Sequence, residues 1–366
     1  MTVVSITTDP SQAGRHELAP GFEEICVAVS PAHVDRETRL RLVTGDVSVT
    51  DIATGLMWPG IDGFADTLAR ALDGASAAVL VQPYLVHAVR AFADGVPVVC
   101  DEHNDEYLLK RSMYPRNPGG RWLLDQVDRT ERAAVEHAAL VTATTDADLD
   151  SLGERYRITA PTAVVPNGVD TTEIEFVVGG DRLRRHLALA EEIGLERHRP
   201  TALFIGSAHL PNINAGRALL DIARNVPDVE FLLAGRHSKL LGRTHVPPNV
   251  RLLGLVNDDL LDLLLAASDI ALNPMSAGSG SNLKLLTYLA AGLPVVSTSV
   301  GARGIDADDA GVLTVDLDAF GEGIEQLIGR DNAERALAGR HYVEEHCDWR
   351  AIGRRFAAIT AHFTPP

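Results

Sequence analysis

Short, mainly apolar runs alternate with amphipathic segments along most of the chain. Such runs occur at 77–81, 96–100 and 139–143, and the residues between them place apolar side chains at helical spacing. Strands that alternate with helices usually form βαβ units, in which neighbouring strands are parallel. The pattern therefore predicts an α/β protein with parallel sheets.

A second series of the same kind follows an interruption in the pattern. Residues 171–200 are rich in charge and lose the strict alternation, so they are predicted to be an interdomain linker. We expect two Rossmann-like, doubly wound domains facing a cleft, at 1–170 and 201–348, with a last helix at 349–366 that packs back on the first domain. The strands predicted for the second domain are 201–206, 229–234, 250–253, 269–272, 295–298 and 312–315, and its first loop is 207–214.

The stretch from Ser276 to Gly304 combines a loop of small residues with a short helix. The loop, residues 279–282 (SGSN), leads into an apolar segment that ends at Gly292. Backbone N–H groups at a helix N-terminus bind anions, so the stretch predicts a phosphate site. Lys284, one of only three lysines in the chain, lies in the first turn. It is either a solvated lysine or a phosphate ligand, and a cation opposing the helix dipole favours the second interpretation.

An ionisable cluster follows the predicted strand 96–100. In a parallel sheet ligands bind at the carboxyl ends of the strands, so Asp101, His103, Asn104 and Glu106 are candidate site residues. The alternative is that Asp101 or Asn104 caps the next helix and that His103 is a passive neighbour.

Charge and composition exclude some classes of protein. The formal net charge of −17 argues against binding to nucleic acid, which requires a basic surface. The three cysteines are far apart in the sequence, which indicates a reducing compartment and no metal site. The first residues lack the basic flank and apolar run of a signal peptide, and no apolar run reaches the length of about 18 residues that a membrane span needs. We therefore expect a cytoplasmic protein.

Six motifs in a fixed order resemble those of the GT-B glycosyltransferases of family 4, also called glycosyl transferases group 1. They are VVPNGVD (164–170), FIGSAHLPN (204–212), FLLAG (231–235), VRLLGLV (250–256), ASDIALNP (267–274) and GSGSNLKLLTYLAAGLPVVST (278–298). The resemblance implies a retaining, hexosyltransferase-type enzyme that needs no metal ion or cofactor. Its partners would be a nucleotide-sugar donor, bound by the second domain, and a glycan or lipid-linked acceptor, bound by the first. Peripheral contact with a membrane face is also expected.

The same resemblance assigns roles to individual residues. His103 and Ser279 would be catalytic, and Asp101, Asn104 and Glu106 would lie on the acceptor side. The residues implied for donor and diphosphate binding are Gly206, Ser207, His209, Asn212, Gly235, Arg236, Val256, Gly280, Ser281, Asn282, Leu283, Lys284 and Thr287.

The chain departs from the family pattern at three places. The two glutamates of the family motif fall on Ser279 and Thr287, which puts the ribose contact in doubt. The first loop of the second domain supplies no cation other than His209. Lys284 and Arg236 are therefore the candidates for that charge, as is Arg303, which could instead pair with a nearby aspartate.

The third departure is near the N-terminus, where Thr2–Thr8 is followed by Gly14 in place of a Gly-Gly loop. Either the first βα unit is missing or its loop has diverged, and we expect a shortened N-terminal domain. These departures keep two alternative functions open. One is a non-catalytic nucleotide-sugar-binding or assembly subunit, and the other is a nucleotide-sugar epimerase.

Overall fold

The computed structural model describes residues 1–45, 47–242, 245–277 and 282–363. The chain forms two compact units. The first contains Met1–Val165 together with the C-terminal segment that begins at Ala357, and the second contains Pro166–Phe356.

The first unit contains two sheets, and helices separate the strands of the larger one. Its strands are β1 (Thr2–Thr7), β2 (Gly14–Ala19), β3 (Phe22–Ala28), β4 (Ala78–Val81), β5 (Val98–Glu102), β6 (Leu140–Ala143) and β7 (Thr162–Val164). Its helices are α1 (Pro31–Leu42), α2 (Thr50–Met57), α3 (Phe64–Leu72), α4 (Val86–Phe92), α5 (Glu106–Met113), α6 (Pro118–His137) and α7 (Asp146–Arg155).

The larger sheet of this unit has the order β4-β5-β6-β7 and is entirely parallel. The smaller sheet has the order β1-β3-β2, in which β2 runs antiparallel to β3. After β1 the chain forms a short 3-10 turn, Pro10–Gln12, and then a strand instead of a helix. The shortening of the domain stays a prediction.

The second unit is built on one six-stranded sheet. Its strands are β8 (Thr201–Ile205), β9 (Glu230–Ala234), β10 (Val250–Gly254), β11 (Ile270–Asn273), β12 (Val295–Ser297) and β13 (Leu313–Thr314). Its helices are α8 (Gly179–Ile193), α9 (Leu210–Asn225), α10 (Arg236–Leu241), α11 (Asp258–Ala267), α12 (Leu283–Ala290), α13 (Phe320–Leu327) and α14 (Ala333–Tyr342). A last helix, α15 (Trp349–Thr360), runs from the second unit into the C-terminal segment of the first.

All strands of this sheet are parallel, in the order β10-β9-β8-β11-β12-β13. The order reverses between β8 and β11, and ligands of open α/β sheets bind at the carboxyl ends of the strands at such a point. Both faces of the sheet are covered. Leu203, Leu232 and Ala271 belong to the core on one face, and Phe204, Phe231 and other residues belong to the core on the other. The strands of this sheet are nearly continuous runs of apolar residues, which is typical of a fully buried parallel sheet.

Two segments differ from the sequence-based expectation. The predicted linker, 171–200, contains α8, whose Leu189 and Ala190 are buried in the core of the second unit. The predicted loop 207–214 ends earlier than expected, because α9 already begins at Leu210. Pro211 suits this start, since proline is tolerated in the first turn, where its missing N–H has no helical partner.

No helix in the described part of the chain is both long enough and apolar enough to cross a bilayer.

Candidate functional site

Two glycines bring loops close together at the carboxyl edge of the six-stranded sheet of the second unit. Gly206 follows β8, and Gly235 follows β9 with φ +109°. A Cβ atom on Gly235 would lie 2.1 Å from the carbonyl oxygen of Gly206, so no larger residue fits there. A Cβ atom on Gly206 would lie 2.7 Å from Nδ1 of His237. Gly206 and Gly235, two of the three glycines predicted to bind the donor, are thus needed for the close approach of these loops.

Lys284 lies in the first turn of α12 with its ammonium turned to this edge. Its Nζ donates to Oδ1 of Asn212 over 2.5 Å, lies 3.7 Å from Sδ of Met275 and lies 5.1 Å from the ring centroid of Phe204. Among the described residues, no carboxylate contacts this ammonium. Burial lowers the pKa of Lys284 to about 8. The site therefore holds a partly desolvated cation without a counter-charge.

The bond between Lys284 and Asn212 joins the first turns of two helices. Asn212 lies in the first turn of α9, and its Nδ2 donates to Oγ of Ser207 over 2.9 Å. His209 occupies the N-cap position of α9, where its exposed side chain makes no capping hydrogen bond. Helix N-termini carry partial positive charge and free N–H groups, so α9, α12 and Lys284 together form an electropositive site.

Polar side chains at the ends of β11 and β12 hold the start of α12 in place. Asn282 precedes the helix, and its Nδ2 donates to Oδ1 of Asn273 over 3.2 Å and to the carbonyl oxygen of Gly301 over 3.3 Å. Asn273 in turn donates to Oγ of Ser297 over 3.2 Å and to Gly301 over 2.9 Å. The side chain of Asn282 therefore anchors the loop to the sheet and does not cap α12. Asn273 and Ser297 were not predicted, although polar residues at the ends of buried strands could have identified them.

Two more residues that the sequence did not single out fix this edge. The hydroxyl of the fully buried Tyr288 accepts from the N–H of Ile205 over 2.7 Å, which ties α12 to the end of β8. His237 is fully buried, and its Nδ1 donates to the carbonyl oxygen of Gly206 over 2.8 Å. Burial lowers the pKa of His237, and the nearby Lys284 lowers it further, so the ring is neutral and positions the backbone.

The remaining predicted donor residues differ in exposure. Leu283 and Arg236 are exposed at the starts of α12 and α10, whereas Val256 is half-buried against the core. Thr287 donates its hydroxyl to the carbonyl oxygen of Leu283 over 3.2 Å, so it bonds within its own helix. Arg303 is half-buried. Three further predicted residues, Ser279, Gly280 and Ser281, lie outside the described residues.

In the first unit, Asp101 and His103 form a pair at the carboxyl end of β5. Oδ2 of Asp101 lies 3.3 Å from Nε2 of His103, and its Oδ1 accepts from Oγ1 of Thr142 over 2.5 Å. The hydrogen bond with Asp101 raises the pKa of His103. The imidazole is 40% exposed and is therefore accessible to a ligand.

Of the other two predicted acceptor-side residues, Asn104 is half-buried and Glu106 is turned away from solvent. Glu106 is buried, where its carboxylate accepts from the hydroxyl of Tyr84 over 2.5 Å and from Nδ2 of Asn104 over 3.2 Å. Burial raises the pKa of Glu106. Its carboxylate thus supports the loop from inside and is not placed to contact an acceptor. The cap of α5 is Asp105, whose Oδ1 accepts from the N–H of Leu108 over 2.8 Å, so the alternative interpretation, in which Asp101 or Asn104 caps this helix, is wrong.

Gln82 has a strained backbone beside this pair. It follows β4 with φ 62° and ψ 159°, a conformation that costs a residue with a side chain roughly 1–3 kcal/mol. Its N–H donates to the carbonyl oxygen of Asp101 over 2.9 Å, which holds it against the end of β5. Strain of this kind concentrates at functional sites, and no pattern in the sequence indicates it.

Two family models match separate parts of the chain. Residues 26–173 match the model described as Glycosyltransferase Family 4, and residues 199–330 match the model described as Glycosyl transferases group 1. No curated protein sequence matches the chain.

Several solved structures share the fold. A sucrose-phosphate synthase from Thermosynechococcus elongatus superposes with a TM-score of 0.73 at 15% identity, over 99% of this chain and 88% of that one. An α,α-trehalose-phosphate synthase (UDP-forming) from Burkholderia vietnamiensis superposes with a TM-score of 0.69 at 13% identity, over 99% of this chain and 91% of that one. HepE from Anabaena, in complex with UDP and glucose, superposes with a TM-score of 0.65 at 15% identity, over 99% of this chain and 100% of that one.

These findings confirm the predicted class and fold. The chain belongs to the glycosyltransferases with the GT-B fold that carry family 4 and group 1 domains.

Proposed function

We propose that the chain transfers a hexosyl residue from a nucleotide-sugar donor to a glycan or lipid-linked acceptor, with retention and without a metal ion. The observation that carries this proposal is Lys284, which lies between the N-termini of α9 and α12 without a carboxylate partner among the described residues. A diphosphate is the ligand that such a site suits best, because it supplies the missing negative charge.

Lys284 and the nearby helix N-termini would also speed the transfer, because they stabilise the charge that develops on the leaving group. The nucleoside diphosphate gains negative charge as the bond from its phosphate to the sugar breaks. Donors fixed in advance around that charge lower the barrier, and removing one such donor costs on the order of 3–4 kcal/mol in comparable sites. Lys284 and the first-turn N–H groups supply this stabilisation from the protein itself. Retention and hexosyl specificity are proposed from the resemblance to family 4.

UDP-sugars are the first donors to test, because HepE was solved with UDP and glucose. Thr287 stands where the family glutamate would bond the ribose, and its hydroxyl is bonded to Leu283 within the helix. We therefore expect the base and ribose to be held by other contacts, and GDP-sugars belong in the same panel.

The acceptor is proposed to bind the first unit at the pair of Asp101 and His103. Asp101 orients the imidazole through the 3.3 Å contact, and the raised pKa of His103 favours its protonated form. A partly exposed imidazolium can donate to a sugar hydroxyl and so orient the acceptor.

Release of nucleoside diphosphate from a panel of nucleotide-sugars, with and without glycan and lipid-linked acceptors, tests the proposal. We expect acceptor-dependent release with at least one donor. His103→Asn should slow transfer at least tenfold while leaving donor binding unchanged. The matched control is His87→Asn, because His87 is exposed on α4 of the same unit.

One observation favours a second candidate, a non-catalytic donor-binding subunit. Both positions of the family's glutamates lack a carboxylate here, since they are Ser279 and Thr287. Donor binding without release of diphosphate above background, with every acceptor in the panel, would establish that function in place of transfer. Interconversion of the donor sugar without an acceptor would indicate an epimerase instead.

A further inference from the structure

The side-chain amide of Gln82 forms no hydrogen bond with any residue that the structure describes. Its oxygen and nitrogen atoms reach solvent, although the residue as a whole is half-buried. A glutamine amide can donate two hydrogen bonds and accept others at its oxygen. Gln82 therefore presents an unused hydrogen-bonding group where β4 ends, at the carboxyl edge of its sheet.

The register of the sheet places Gln82 next to the pair of Asp101 and His103. Val81 lies opposite Asp101 at the ends of β4 and β5, and the N–H of Gln82 donates to the carbonyl oxygen of Asp101 over 2.9 Å. Neighbouring strands lie about 4.8 Å apart. A ligand that contacts the imidazole of His103 is therefore within reach of the Gln82 amide.

The positive φ of Gln82 determines the side of the sheet to which its side chain turns. Leu80 and Cys100 lie opposite each other in register, and both belong to the core of this unit. In a regular strand Gln82 would follow Leu80 by two positions and would turn its amide into that core. Its φ of 62° differs by about 180° from the usual value of a parallel strand, which turns Cβ to the opposite side. The strained backbone thus keeps the amide on the side of Asp101 and His103.

The strain and the unused amide occur in the same residue. Glycine adopts such a backbone conformation without strain, so a residue with a side chain at this position destabilises the fold. The amide of Gln82 offsets none of that cost through hydrogen bonds to the described residues. A ligand outside the fold therefore accounts for the side chain better than the fold itself does.

We propose that the amide of Gln82 binds a hydroxyl group of the acceptor sugar and so determines which sugars this chain accepts. The contact rests on the proposed function, in which the acceptor binds at Asp101 and His103. A hydroxyl both donates and accepts, as the amide does, so the two groups match without a charge. An acceptor that lacks this hydroxyl leaves the amide unpaired, and such a site discriminates strongly against it.

Binding of simple glycosides to the full chain tests the contact without requiring turnover. The probes are the methyl glycosides of glucose, mannose and galactose, and binding is followed by saturation-transfer NMR with and without UDP. We expect the wild type to bind at least one of them and Gln82→Met to bind it at least tenfold more weakly. Methionine keeps the Cβ atom and the length of the side chain and removes only the amide, so the midpoint of urea unfolding should not change.

Monodeoxy analogues of the bound glycoside separate a direct contact from an indirect effect on the loop. In the wild type, loss of the hydroxyl that Gln82 contacts should weaken binding about as much as Gln82→Met does. In Gln82→Met the same analogue should bind no more weakly than the parent glycoside, because both changes remove one contact. Losses that add at every hydroxyl would show that Gln82 acts only through the structure of the loop, and they would overturn the proposal.

Gln126→Met is the matched control. Gln126 is a half-buried glutamine on α6 of the same unit, so the substitution makes the same chemical change away from β4. This variant should bind the glycosides like the wild type. Equal affinity of Gln82→Met and the wild type overturns the proposal, as does the failure of the wild type to bind any of the three glycosides.

Release of diphosphate from the donor separates failure of this contact from failure of the proposed function. In an active transferase, Gln82→Met should raise the KM for the acceptor at least tenfold with little change in kcat. Transfer with an unchanged acceptor KM in Gln82→Met overturns the contact alone. Glycoside binding that depends on Gln82, without release of diphosphate from any donor, overturns the proposed transfer and leaves the contact standing.

Discussion

Lys284 determines how the proposed diphosphate site should respond to pH. Burial lowers its pKa to about 8, so the free site is cationic below that pH and becomes neutral above it. A bound diphosphate stabilises the charged form and raises the pKa of the complex. Affinity for diphosphate should therefore fall as the pH rises through about 8, because the free site must then take up a proton on binding.

Calorimetric titrations across this range would check the expectation. Because the second pKa of a phosphate is about 6, the ligand itself does not change charge above about pH 7.5. The Lys284→Met variant should show weak binding that does not depend on pH. The same decline in affinity in the wild type and in this variant would show that another group is responsible.

The strained backbone of Gln82, beside Asp101 and His103, leads to a prediction about stability. Its φ of 62° and ψ of 159° suit glycine alone, so Gln82→Gly should raise the free energy of unfolding by about 1 kcal/mol. Gln82→Ala keeps a Cβ atom and should give no such gain. Urea denaturation of the three proteins measures the difference, and equal stabilisation by both variants would contradict the account of strain.

At the scale of elements, the loops after β8 and β9 depend on glycine for their approach. Gly235→Ala would place a Cβ atom 2.1 Å from the carbonyl oxygen of Gly206 at a φ of +109°, so it should destabilise the protein by at least about 2 kcal/mol. Diphosphate affinity should also fall, since His237 and Gly206 shift with the loop.

Gly242→Ala is the control for this change. Gly242 follows α10 with φ −63°, and the nearest atom to a Cβ there is 3.8 Å away. Its free energy of unfolding should stay within about 0.5 kcal/mol of the wild type, measured in the same urea titration. A loss of stability equal to that of Gly235→Ala would mean that the close approach of the loops is not the cause.

The spacing of apolar residues in the sequence predicted which helices and strands form, but it predicted less well where they end and which side chains contact each other. The apolar strands of the second sheet are evident in the sequence, because a buried parallel sheet needs continuous apolar runs. The start of α9 was missed, because residues 207–212 look like a polar loop until the helix is seen. The bond between Lys284 and Asn212 could not be predicted, since it joins residues 72 positions apart.

At the scale of the whole molecule, the order of the motifs along the chain was stronger evidence for the class of protein than any single residue was. Six short patterns in sequence indicated the GT-B class, and both the family matches and the fold confirm it. Strain at Gln82 and the burial of Glu106 follow from tertiary packing, which no local pattern records. The cytoplasmic location and the independence of a cofactor stay predictions.

The central claim is that the second unit binds a nucleoside diphosphate through Lys284 and the starts of α9 and α12. Titration calorimetry of UDP and GDP into the wild type, Lys284→Met and Lys239→Met tests it most directly, because Lys239 is an exposed lysine on α10 of the same unit. We expect the wild type and Lys239→Met to bind equally and Lys284→Met to bind about tenfold to a hundredfold more weakly. Equal affinity in all three proteins would contradict the account.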